Sequence, residues 1–354
     1  MKLPLVSIGM PTYNRADLFR EALALARAQD YPNLEIIVSD NHSTDDTERV
    51  AREVVAVDPR VRYHRQPRNI GLHANLNFCL DQARGDLLSF FMDDDRYQPT
   101  IVREYAEFLG RHPEAGIVCS DYELLDERGV QVDVRDHPVP EVMSGFDFIG
   151  RTIRSGRSAG IGAPGMMVRQ EALGTIRFDE AAPIGFGDYV VWFRIAERWA
   201  VGHIRRRLWG FRTHRNALST RPVHSVARDY DQQISAYCND YLRRCPDQAP
   251  VVEGWRRAMR RYLFWAIAYE LLLHERSSET DSQRGHRTIF ELSRYRLSAA
   301  EQGEARTQLR QYSRGPAQAV IARGLDVLAG SPIVRPLVWA SRYSESVRVM
   351  LGLR

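Results

Sequence analysis

The sequence predicts an α/β fold, in which a mostly parallel sheet has helices on both faces and is followed by a mainly helical C-terminal region. Three observations support this prediction. Apolar segments of strand length alternate with helix-like segments through the first 125 residues. Several of these apolar segments are continuous, as in strands that are buried on both faces. Beyond about residue 225 the periodicity is mainly helical.

The predicted strands recur at regular intervals along the first 125 residues. Each is a short run of apolar and β-branched residues between polar segments. In chain order they are LVSIGM at 5–10, LEIIVSD at 34–40, VRYHR at 61–65, DLLSFFM at 86–92 and AGIVCSDYELLD at 115–126.

Helix-like segments fill the intervals between these strands. The first follows Asn14, a candidate N-cap residue with Asp17 three positions later. The second, at 43–57, begins with Ser and Thr, has acidic residues in its first turn and places apolar residues at helical spacing. A third is predicted over Leu72–Ala83, and Pro99 suits the start of a fourth.

The pattern loosens after residue 125. Segments 137–140 and 154–165 are typical of loops, 165–173 of a strand that runs into a helix, and 188–199 of a helix. The strongest helical segment is 254–276. We therefore predict one domain over 1–222, in two parts that meet near residue 125, and a helical region over 223–354.

Cysteine usage and hydropathy indicate the compartment. The four cysteines contain no CxxC pair, so they predict neither a disulfide framework nor a zinc site and fit a reducing cytoplasm. The apolar run at the N-terminus is too short for a secretory signal, and no window approaches about 18 uncharged apolar residues. We expect a cytoplasmic protein that does not span a membrane.

Charge is distributed unevenly along the chain. Residues 1–150 contain 16 basic and 26 acidic residues, whereas 151–354 contain 33 and 19, giving net charges of −10 and +14. The basic half predicts contact with something anionic, such as a phosphate-bearing substrate or an acidic membrane surface. Nucleic acid would fit the charge, but no recognition motif accompanies it, so no nucleic-acid partner is expected.

The last segment, 331–354, mixes large apolar residues with four arginines. A helix that lies on a bilayer surface has this composition. A helix that packs on its own protein, or at a homodimer interface, has it too, and the sequence leaves these alternatives open.

Three polar stretches directly follow predicted strands: PTYNR at 11–15, DNHSTDD at 40–46 and DDD at 93–95. Ligands of open α/β sheets bind beyond the carboxyl ends of the strands, so these stretches should line one crevice. The first turn lacks the GxGxxG of dinucleotide enzymes and the GK[ST] of P-loop enzymes. A sugar nucleotidyltransferase would be expected to have a glycine-rich basic loop there, and an aspartate-nucleophile phosphatase would have its paired aspartates there.

The three adjacent aspartates Asp93, Asp94 and Asp95 are electrostatically unfavourable on their own. Neighbouring carboxylates repel one another and raise each other's pKa unless a cation lies between them. Mg²⁺ or Mn²⁺, held by one or two carboxylates and by substrate phosphates, would supply that cation. The alternative is a solvated acidic turn, which the preceding buried strand disfavours.

Three motifs together resemble glycosyltransferase family 2, the inverting nucleotide-sugar transferases of GT-A fold. They are VSIGMPTYNRADLFREAL, YPNLEIIVSDNHSTDDT and NIGLHANLNFCLDQARGDLLSFFMDDD, in this order. The resemblance covers about residues 3–215 and implies that 1–125 binds the nucleotide sugar and 126–222 faces the acceptor. Residues 223–354 resemble nothing that we recognise and are left as a membrane-surface or dimerisation element.

The resemblance also implies roles for individual residues. Those that correspond to the family's nucleotide pocket are Pro11, Thr12, Tyr13, Asn14, Asp40, Asn69, Gly71 and Asn75. Asp93, Asp94 and Asp95 fall on the DxD region, where Met92 replaces a frequent aspartate. Counting back from Pro99 favours Asp95 as metal ligand, with Asp93 or Asp94 toward ribose and metal.

Later segments of the chain correspond to the family's catalytic base and diphosphate site. Asp188 matches the base, which usually follows a glutamate where this chain has Gly187; an aspartate that only caps the helix is the alternative. In FRTHRNALS, His214 is the candidate metal ligand, or a simple loop histidine. Arg212 and Arg215 would stabilise the departing diphosphate.

The resemblance predicts an enzyme that needs Mn²⁺ or Mg²⁺ and moves a sugar from a nucleoside-diphosphate sugar to an acceptor hydroxyl. AERW at 196–199 is similar to the QxxRW signature of processive synthases, but Ile195 replaces the glutamine and no membrane span is expected, so we predict non-processive transfer of one sugar. The basic second half favours a lipid-linked glycan acceptor at the inner face of a bacterial plasma membrane. A soluble acceptor, or an inactive module that binds nucleotide or a partner protein, is left open.

Overall fold

The computed structural model describes residues 3–155, 165–182, 187–214 and 223–274, together with the isolated positions 303, 307 and 311. The chain divides into two compact units. The first comprises residues 1–151 and 158–220, and the second comprises 152–157 and 221–354. The segment 331–354, with its predicted surface helix, and Arg215 lie outside the described residues.

The first unit is built on one mixed sheet. Its described strands are β1 (Val6–Thr12), β2 (Leu34–Asp40), β3 (Val61–Arg65), β4 (Leu87–Phe90), β5 (Arg96–Tyr97), β6 (Ala115–Leu125), β7 (Gln131–Arg135), β8 (Val142–Met143), β9 (Met166–Arg169) and β10 (Ala200–Arg212). Their order is β3-β2-β1-β4-β9-β6-β10-β5, with β7 beside β6 and β8 beside β10. The sheet is mostly parallel: β3, β2, β1 and β4 run in one direction, and β6 is parallel to β10.

Helices connect these strands as the alternating pattern predicts. They are α1 (Ala16–Arg27), α2 (Thr47–Val55), α3 (Leu72–Gln82), α4 (Ile101–Arg111), α5 (Gly145–Ser155), α6 (Gln170–Leu173) and α7 (Gly187–Ala196). In α1 the buried residues Phe19, Ala22, Leu23 and Ala26 follow helical spacing and form one apolar face. All seven residues of β1 are buried, as in a strand covered on both faces. The predicted α/β class is therefore confirmed.

The second unit contains α8 (Val223–Arg244) and α9 (Ala249–His274), joined by a short 3₁₀ turn at Pro246–Gln248. These helices confirm the predicted helical C-terminal region as far as residue 274. Within the part of the chain that the structure describes, no helix is both long enough and apolar enough to cross a bilayer.

One local prediction was wrong, and one strand was missed. The N-cap of α1 is Arg15 rather than Asn14, because Asn14 adopts a positive φ of 50° and lies in the preceding turn. The 13-residue strand β10 was missed, since its run Arg205–Arg207 is polar. Those arginines are exposed and coincide with register shifts against β6, so a bulge carries them to the surface.

Candidate functional site

The three polar stretches meet at one edge of the sheet. Because β1 and β2 are parallel and in register, Thr12 and Asp40 end their strands side by side. The backbone N–H of Asn41 donates to the Thr12 carbonyl at 2.9 Å, and the Asn14 N–H donates to Ser43 Oγ at 2.9 Å. The Asn14 side-chain oxygen accepts from the Thr44 N–H at 2.7 Å. The first two stretches therefore form one hydrogen-bonded rim, as predicted.

Asp93 joins the third stretch to the first. Its carboxylate accepts hydrogen bonds from Thr12 Oγ1 at 2.8 Å, from the Tyr13 N–H at 3.4 Å and from Arg15 Nη1 at 2.9 Å. Only 4% of this side chain is exposed. Burial, reinforced by repulsion from Asp94, raises the Asp93 pKa to about 6 despite these donors.

Asp94 is the aspartate that faces a histidine. Its Oδ2 atom lies 3.0 Å from Nε2 of His214, just beyond the end of β10, and 2.7 Å from Nη1 of Arg15. Arg15 thus contacts both Asp93 and Asp94, and these carboxylates raise the arginine pKa against the lowering effect of burial. A carboxylate and an imidazole from sequence-distant strand ends meet here, next to a second carboxylate.

Asp95 lies in a different environment from its neighbours. The carboxylate is buried, its Oδ1 accepts from the Arg212 backbone N–H at 2.9 Å, and its Oδ2 has no hydrogen-bond partner among the described residues. Burial and repulsion from Asp94 raise its pKa well above the ordinary value. Asp95 therefore contacts the backbone of β10, while Asp94 contacts His214.

Arg212, a predicted diphosphate ligand, is engaged within the protein. Its guanidinium donates twice to the Glu21 carboxylate, at 2.8 Å each, and its Nε donates to the Asp94 carbonyl at 3.0 Å. Only 5% of the arginine side chain is exposed. In this arrangement Arg212 fixes the backbone of the aspartate turn.

Asp40 is fully buried at the end of β2. Tyr63 donates its hydroxyl to Oδ2 at 2.7 Å, and the Ser43 N–H donates to Oδ1 at 2.8 Å. The carboxylate raises the pKa of the Tyr63 phenol, an effect second to that of burial. Asp40 thereby shapes the turn that follows β2.

The segment Asn69–Gly71 closes the same rim. Asn69 Oδ1 accepts from Asn41 Nδ2 and from the Gly71 N–H, both at 2.9 Å. Gly71 has a φ of 84°, which an L residue rarely adopts, and begins α3. Asn75 is buried, and its Nδ2 donates to the Ser39 carbonyl at 3.0 Å, so it fastens α3 to β2.

Two residues of the first motif differ in exposure. Pro11 is buried within β1, where it lies opposite Ser39 of β2, so it belongs to the sheet and not to the exposed surface of the rim. The Tyr13 side chain is 43% exposed, so an aromatic ring is available at the rim.

Asp188 lies in the first turn of α7 and is half-buried. Its neighbour Gly187 packs against α3, and a Cβ atom on that glycine would lie 2.7 Å from Nε2 of His73. A side chain at position 187 would therefore require the His73 ring to move. The close approach also places the start of α7 beside the first turn of α3, which Gly71 begins.

Sequence reasoning missed Arg15, which holds two of the three aspartates. Its position directly after the PTYN motif, in a crevice expected to gather carboxylates, was the available signal. The structure thus brings together Thr12, Tyr13, Asp93, Asp94 and His214 around a guanidinium, whereas Asp95 faces the sheet.

We expect the stability of the metal-free protein to depend on the protonation of Asp93. The unfolded chain releases this proton near the ordinary carboxyl pKa of about 3.9, whereas the folded chain releases it near 6. The stability contribution of Asp93 therefore falls as pH rises through this window. Asp93→Asn removes the titration, so its melting temperature in chelator, relative to wild type, should rise between about pH 4 and pH 7. A difference that is flat or decreasing would contradict the assignment.

Arg212→Gln should destabilise the protein measurably. Losing charged, buried hydrogen bonds costs about 1.5–3 kcal/mol, which corresponds to a fall in melting temperature of about 5 °C for a unit of this size. Arg206→Gln is the matched control. Arg206 also belongs to β10 and pairs with a glutamate, Glu104, but its side chain is 64% exposed. Thermal unfolding checks both, and equal effects would exclude the structural role of Arg212.

A family model described as glycosyl transferase family 2 matches residues 7–177. Among curated proteins, a GalNAc(5)-diNAcBac-PP-undecaprenol beta-1,3-glucosyltransferase from Campylobacter jejuni is 40% identical over 94 residues, 26% of this chain and 30% of its own length. The putative teichuronic acid biosynthesis glycosyltransferase TuaG from Bacillus subtilis is 26% identical over 174 residues, 49% of this chain and 66% of its own.

An uncharacterized glycosyltransferase from Rickettsia felis is 36% identical over 129 residues, 36% of this chain. The chain spans only 21% of that protein's length, and under a third of the Campylobacter protein.

Solved structures share the fold. Residues 1–349 of S. aureus TarS, in complex with UDP-GlcNAc, superpose with a TM-score of 0.59 at 17% identity, covering 96% of this chain and 87% of the other. The mannosyltransferase PcManGT from Pyrobaculum calidifontis, in complex with GDP-Man and Mn²⁺, gives 0.55 at 17% identity, covering 98% and 87%. The predicted GT-A fold is confirmed.

Proposed function

Because the chain belongs to glycosyltransferase family 2 over residues 7–177, we propose that it transfers one sugar from a nucleoside-diphosphate sugar to an acceptor hydroxyl. The observation that carries the proposal is the cluster of Asp93, Asp94 and His214 at the carboxyl edge of the sheet. Donor ligands of open α/β folds bind at this edge. Carboxylates and an imidazole can bind a divalent cation, and that cation can in turn bind the diphosphate of the donor.

The donor set fits a divalent cation. Carboxylate oxygen and imidazole nitrogen are both ligands of Mn²⁺, and carboxylates with substrate phosphates are the usual ligands of Mg²⁺. Asp94 and His214 would hold the ion, with Asp93 beside them. We propose this register in place of Asp95, because the Asp94 carboxylate reaches His214, whereas Oδ1 of Asp95 accepts from the Arg212 backbone N–H. When bound, the ion would offset negative charge on the leaving diphosphate.

Arg15 is the resident cation of the cluster. In the structure its guanidinium pairs with both Asp93 and Asp94, and its positive charge offsets part of the repulsion between them. Arg15 would be placed to donate charge-assisted hydrogen bonds to the donor diphosphate when a divalent ion is held by the aspartates. Arg15 thus takes the role that the sequence assigned to Arg212, while Arg215 remains a second prediction for that role.

The rim formed by the first two motifs is proposed to receive the nucleotide. The exposed ring of Tyr13 can stack on a base, while Asp40, buried beneath the rim, holds its shape through Tyr63 and Ser43. Asn14, Asn69 and Gly71 present polar groups along the same rim. Thr12 and Asn75 support the rim through buried hydrogen bonds to Asp93 and to the Ser39 carbonyl, respectively.

Asp188 is proposed as the catalytic base. A half-buried carboxylate in the first turn of a helix can accept the proton of an acceptor hydroxyl, whose oxygen then bonds to the anomeric carbon as the bond to the diphosphate oxygen breaks. Attack from the face opposite the diphosphate inverts the configuration. The proton ends on Asp188, and the nucleoside diphosphate leaves.

A lipid-linked glycan is the proposed acceptor. The Campylobacter relative is named for a polyprenyl-diphosphate-linked acceptor, and the Bacillus relative for teichuronic acid biosynthesis. The net charge of +14 over residues 151–354 suits an anionic acceptor or membrane surface. We propose that 1–125 binds the donor and 126–222 the acceptor. Residues 223–354 then provide peripheral attachment to the inner membrane face, or a homodimer contact.

A panel of UDP-, dTDP- and GDP-sugars, incubated with purified full-length protein and Mn²⁺, tests the function. We expect slow hydrolysis of one donor class, accelerated by a polyprenyl-diphosphate glycan extract. Acceleration by water-soluble glycans alone would assign a soluble acceptor. No turnover of any donor, together with nucleotide binding, would identify a binding module instead of an enzyme.

A further inference from the structure

Three side chains with metal-binding atoms lie together in the first unit, outside the aspartate cluster. Asp121 belongs to β6, His203 to β10, and His137 to the segment that follows β7. One ligand atom from each lies within 4.8 Å of the others. Asp121 and His203 are buried, and His137 is half-buried. The proposed transfer reaction uses none of them.

The contacts on Asp121 exceed what hydrogen bonding requires. Its Oδ1 atom is approached by the His137 backbone N–H at 2.8 Å, by His203 Nε2 at 2.9 Å and by His137 Nδ1 at 3.3 Å. A carboxylate oxygen has two lone pairs, and the first two nitrogens suffice to fill them. The second imidazole is therefore surplus as a hydrogen-bond donor but suitable as a metal ligand.

The far side of the His203 ring is also held. Its Nδ1 lies 3.4 Å from Sγ of Cys119, and that thiol is 3.4 Å from the Gly202 carbonyl. The thiol can donate to that carbonyl. With the ring proton on Nε2 the imidazole donates to Asp121, whereas with the proton on Nδ1 the Nε2 lone pair is available to a metal. A cation held between Nε2 and Asp121 would use both groups as ligands, and the thiol would orient the ligand ring.

The arginines beside the cluster do not supply that cation. Arg207 pairs with Asp136 at 2.6 Å, Arg206 with Glu104 at 2.7 Å, and Arg205 donates to the Val139 carbonyl at 2.9 Å. Burial lowers the pKa of both His137 and His203. A cavity of about 610 Å³ beside His137 and Asp121 has room for water as a further ligand.

We propose that Asp121, His137 and His203 form a second metal site, selective for Zn²⁺ over Mg²⁺. Two imidazoles and one carboxylate are typical ligands of zinc, whereas magnesium prefers oxygen atoms alone. With bonds of about 2.0–2.1 Å and tetrahedral angles, ligand atoms stand about 3.3 Å apart. The two imidazole nitrogens stand 2.9 and 3.3 Å from Asp121 Oδ1, close to that spacing.

Zinc at this position would join three sequence-distant segments. It would fasten the segment after β7 to β6 and β10, and β10 continues to Arg212 at the aspartate turn. The inference does not depend on the transferase activity, since it concerns other residues and another metal.

Cobalt substitution tests the site in full-length protein purified without a histidine tag and treated with chelator. Asp94→Asn serves as the background, so that the aspartate cluster does not contribute. We expect one equivalent of Co²⁺ to give visible absorption bands, and one equivalent of Zn²⁺ to abolish them. Zn²⁺ should also raise the melting temperature by several degrees, whereas Mg²⁺ at the same concentration should not.

His137→Gln and His203→Gln should each weaken Zn²⁺ binding by at least about tenfold. His112→Gln is the matched control. His112 also faces carboxylates, with Nδ1 3.3 Å from Glu114 and Nε2 3.7 Å from Glu141, but among the described residues it belongs to no group of three converging ligands. Circular dichroism establishes that each variant is folded. Absence of a stoichiometric cobalt spectrum in the background protein, or equal affinity in His112→Gln and His137→Gln, would overturn the proposal.

Discussion

Asp94→Asn is expected to lower kcat of sugar transfer by about two to three orders of magnitude, the loss typical of removing one group that stabilises transition-state charge. The carboxylate that faces His214 disappears, and with it one proposed ligand of the divalent ion. Nucleotide alone should still bind to the rim of the first two motifs. Initial rates at saturating donor and Mn²⁺, for wild type and variant side by side, measure the effect.

Asp95→Asn is the matched control, one residue away. Asparagine keeps the shape of the buried side chain and can still accept from the Arg212 backbone N–H. Its loss of activity should therefore be at least about tenfold smaller than that of Asp94→Asn. The reverse order would restore Asp95 as the metal ligand, which is what counting back from Pro99 predicts.

Asp188→Asn is expected to lower kcat by about 10²–10⁴, the range for loss of a positioned general base. Donor binding and melting temperature should change little, because the amide is nearly isosteric with the carboxylate. The pH dependence of kcat should lose its acidic limb, since no carboxylate remains to be deprotonated.

The alternative role of Asp188 is to stabilise the N-terminus of α7. Asp17→Asn is the control for that role, because Asp17 lies in the first turn of α1 and is exposed. Both variants should lose a similar small increment of helix stability. If Asp188→Asn were no slower than Asp17→Asn, the proposed base would have to be sought elsewhere.

The convergence of three motifs at one edge of the sheet could be predicted from the sequence. The parallel strands β1, β2 and β4 end at the same edge of the sheet. The turns that follow Thr12 and Asp40 therefore lie close to the segment after β4, which contains Asp93. His214 was a candidate through the resemblance of FRTHRNALS at 211–219 to the family segment near metal and diphosphate, and it lies beside Asp94. Here local pattern and sheet topology agree.

The direction of each aspartate side chain could not be predicted. Asp93, Asp94 and Asp95 are chemically equal in sequence, and their environments differ only because β10 packs its Arg212 backbone against the last of them. Strand β10 was not recognised from its sequence, because the polar run Arg205–Arg207 interrupts its apolar pattern. Arg212 was assigned to the diphosphate without knowing that Glu21 occupies its guanidinium, and Arg15 was given no role.

Long-range side-chain clusters were similarly inaccessible. Asp121, His137 and His203 have no common motif, and the cysteine pattern predicted no zinc site. Only the pairing of β6 with β10, and the path of the chain after β7, bring the two histidines to one carboxylate.

Binding of Mn²⁺, measured by electron paramagnetic resonance in the presence of UDP, dTDP or GDP, tests the central claim most directly. The proposed site predicts one nucleotide-dependent Mn²⁺ per chain in wild type and in Asp95→Asn. Binding should be lost in Asp94→Asn and in His214→Gln. Equal Mn²⁺ binding in all four proteins, or loss only in Asp95→Asn, would contradict the assignment of Asp94 and His214 as the metal ligands.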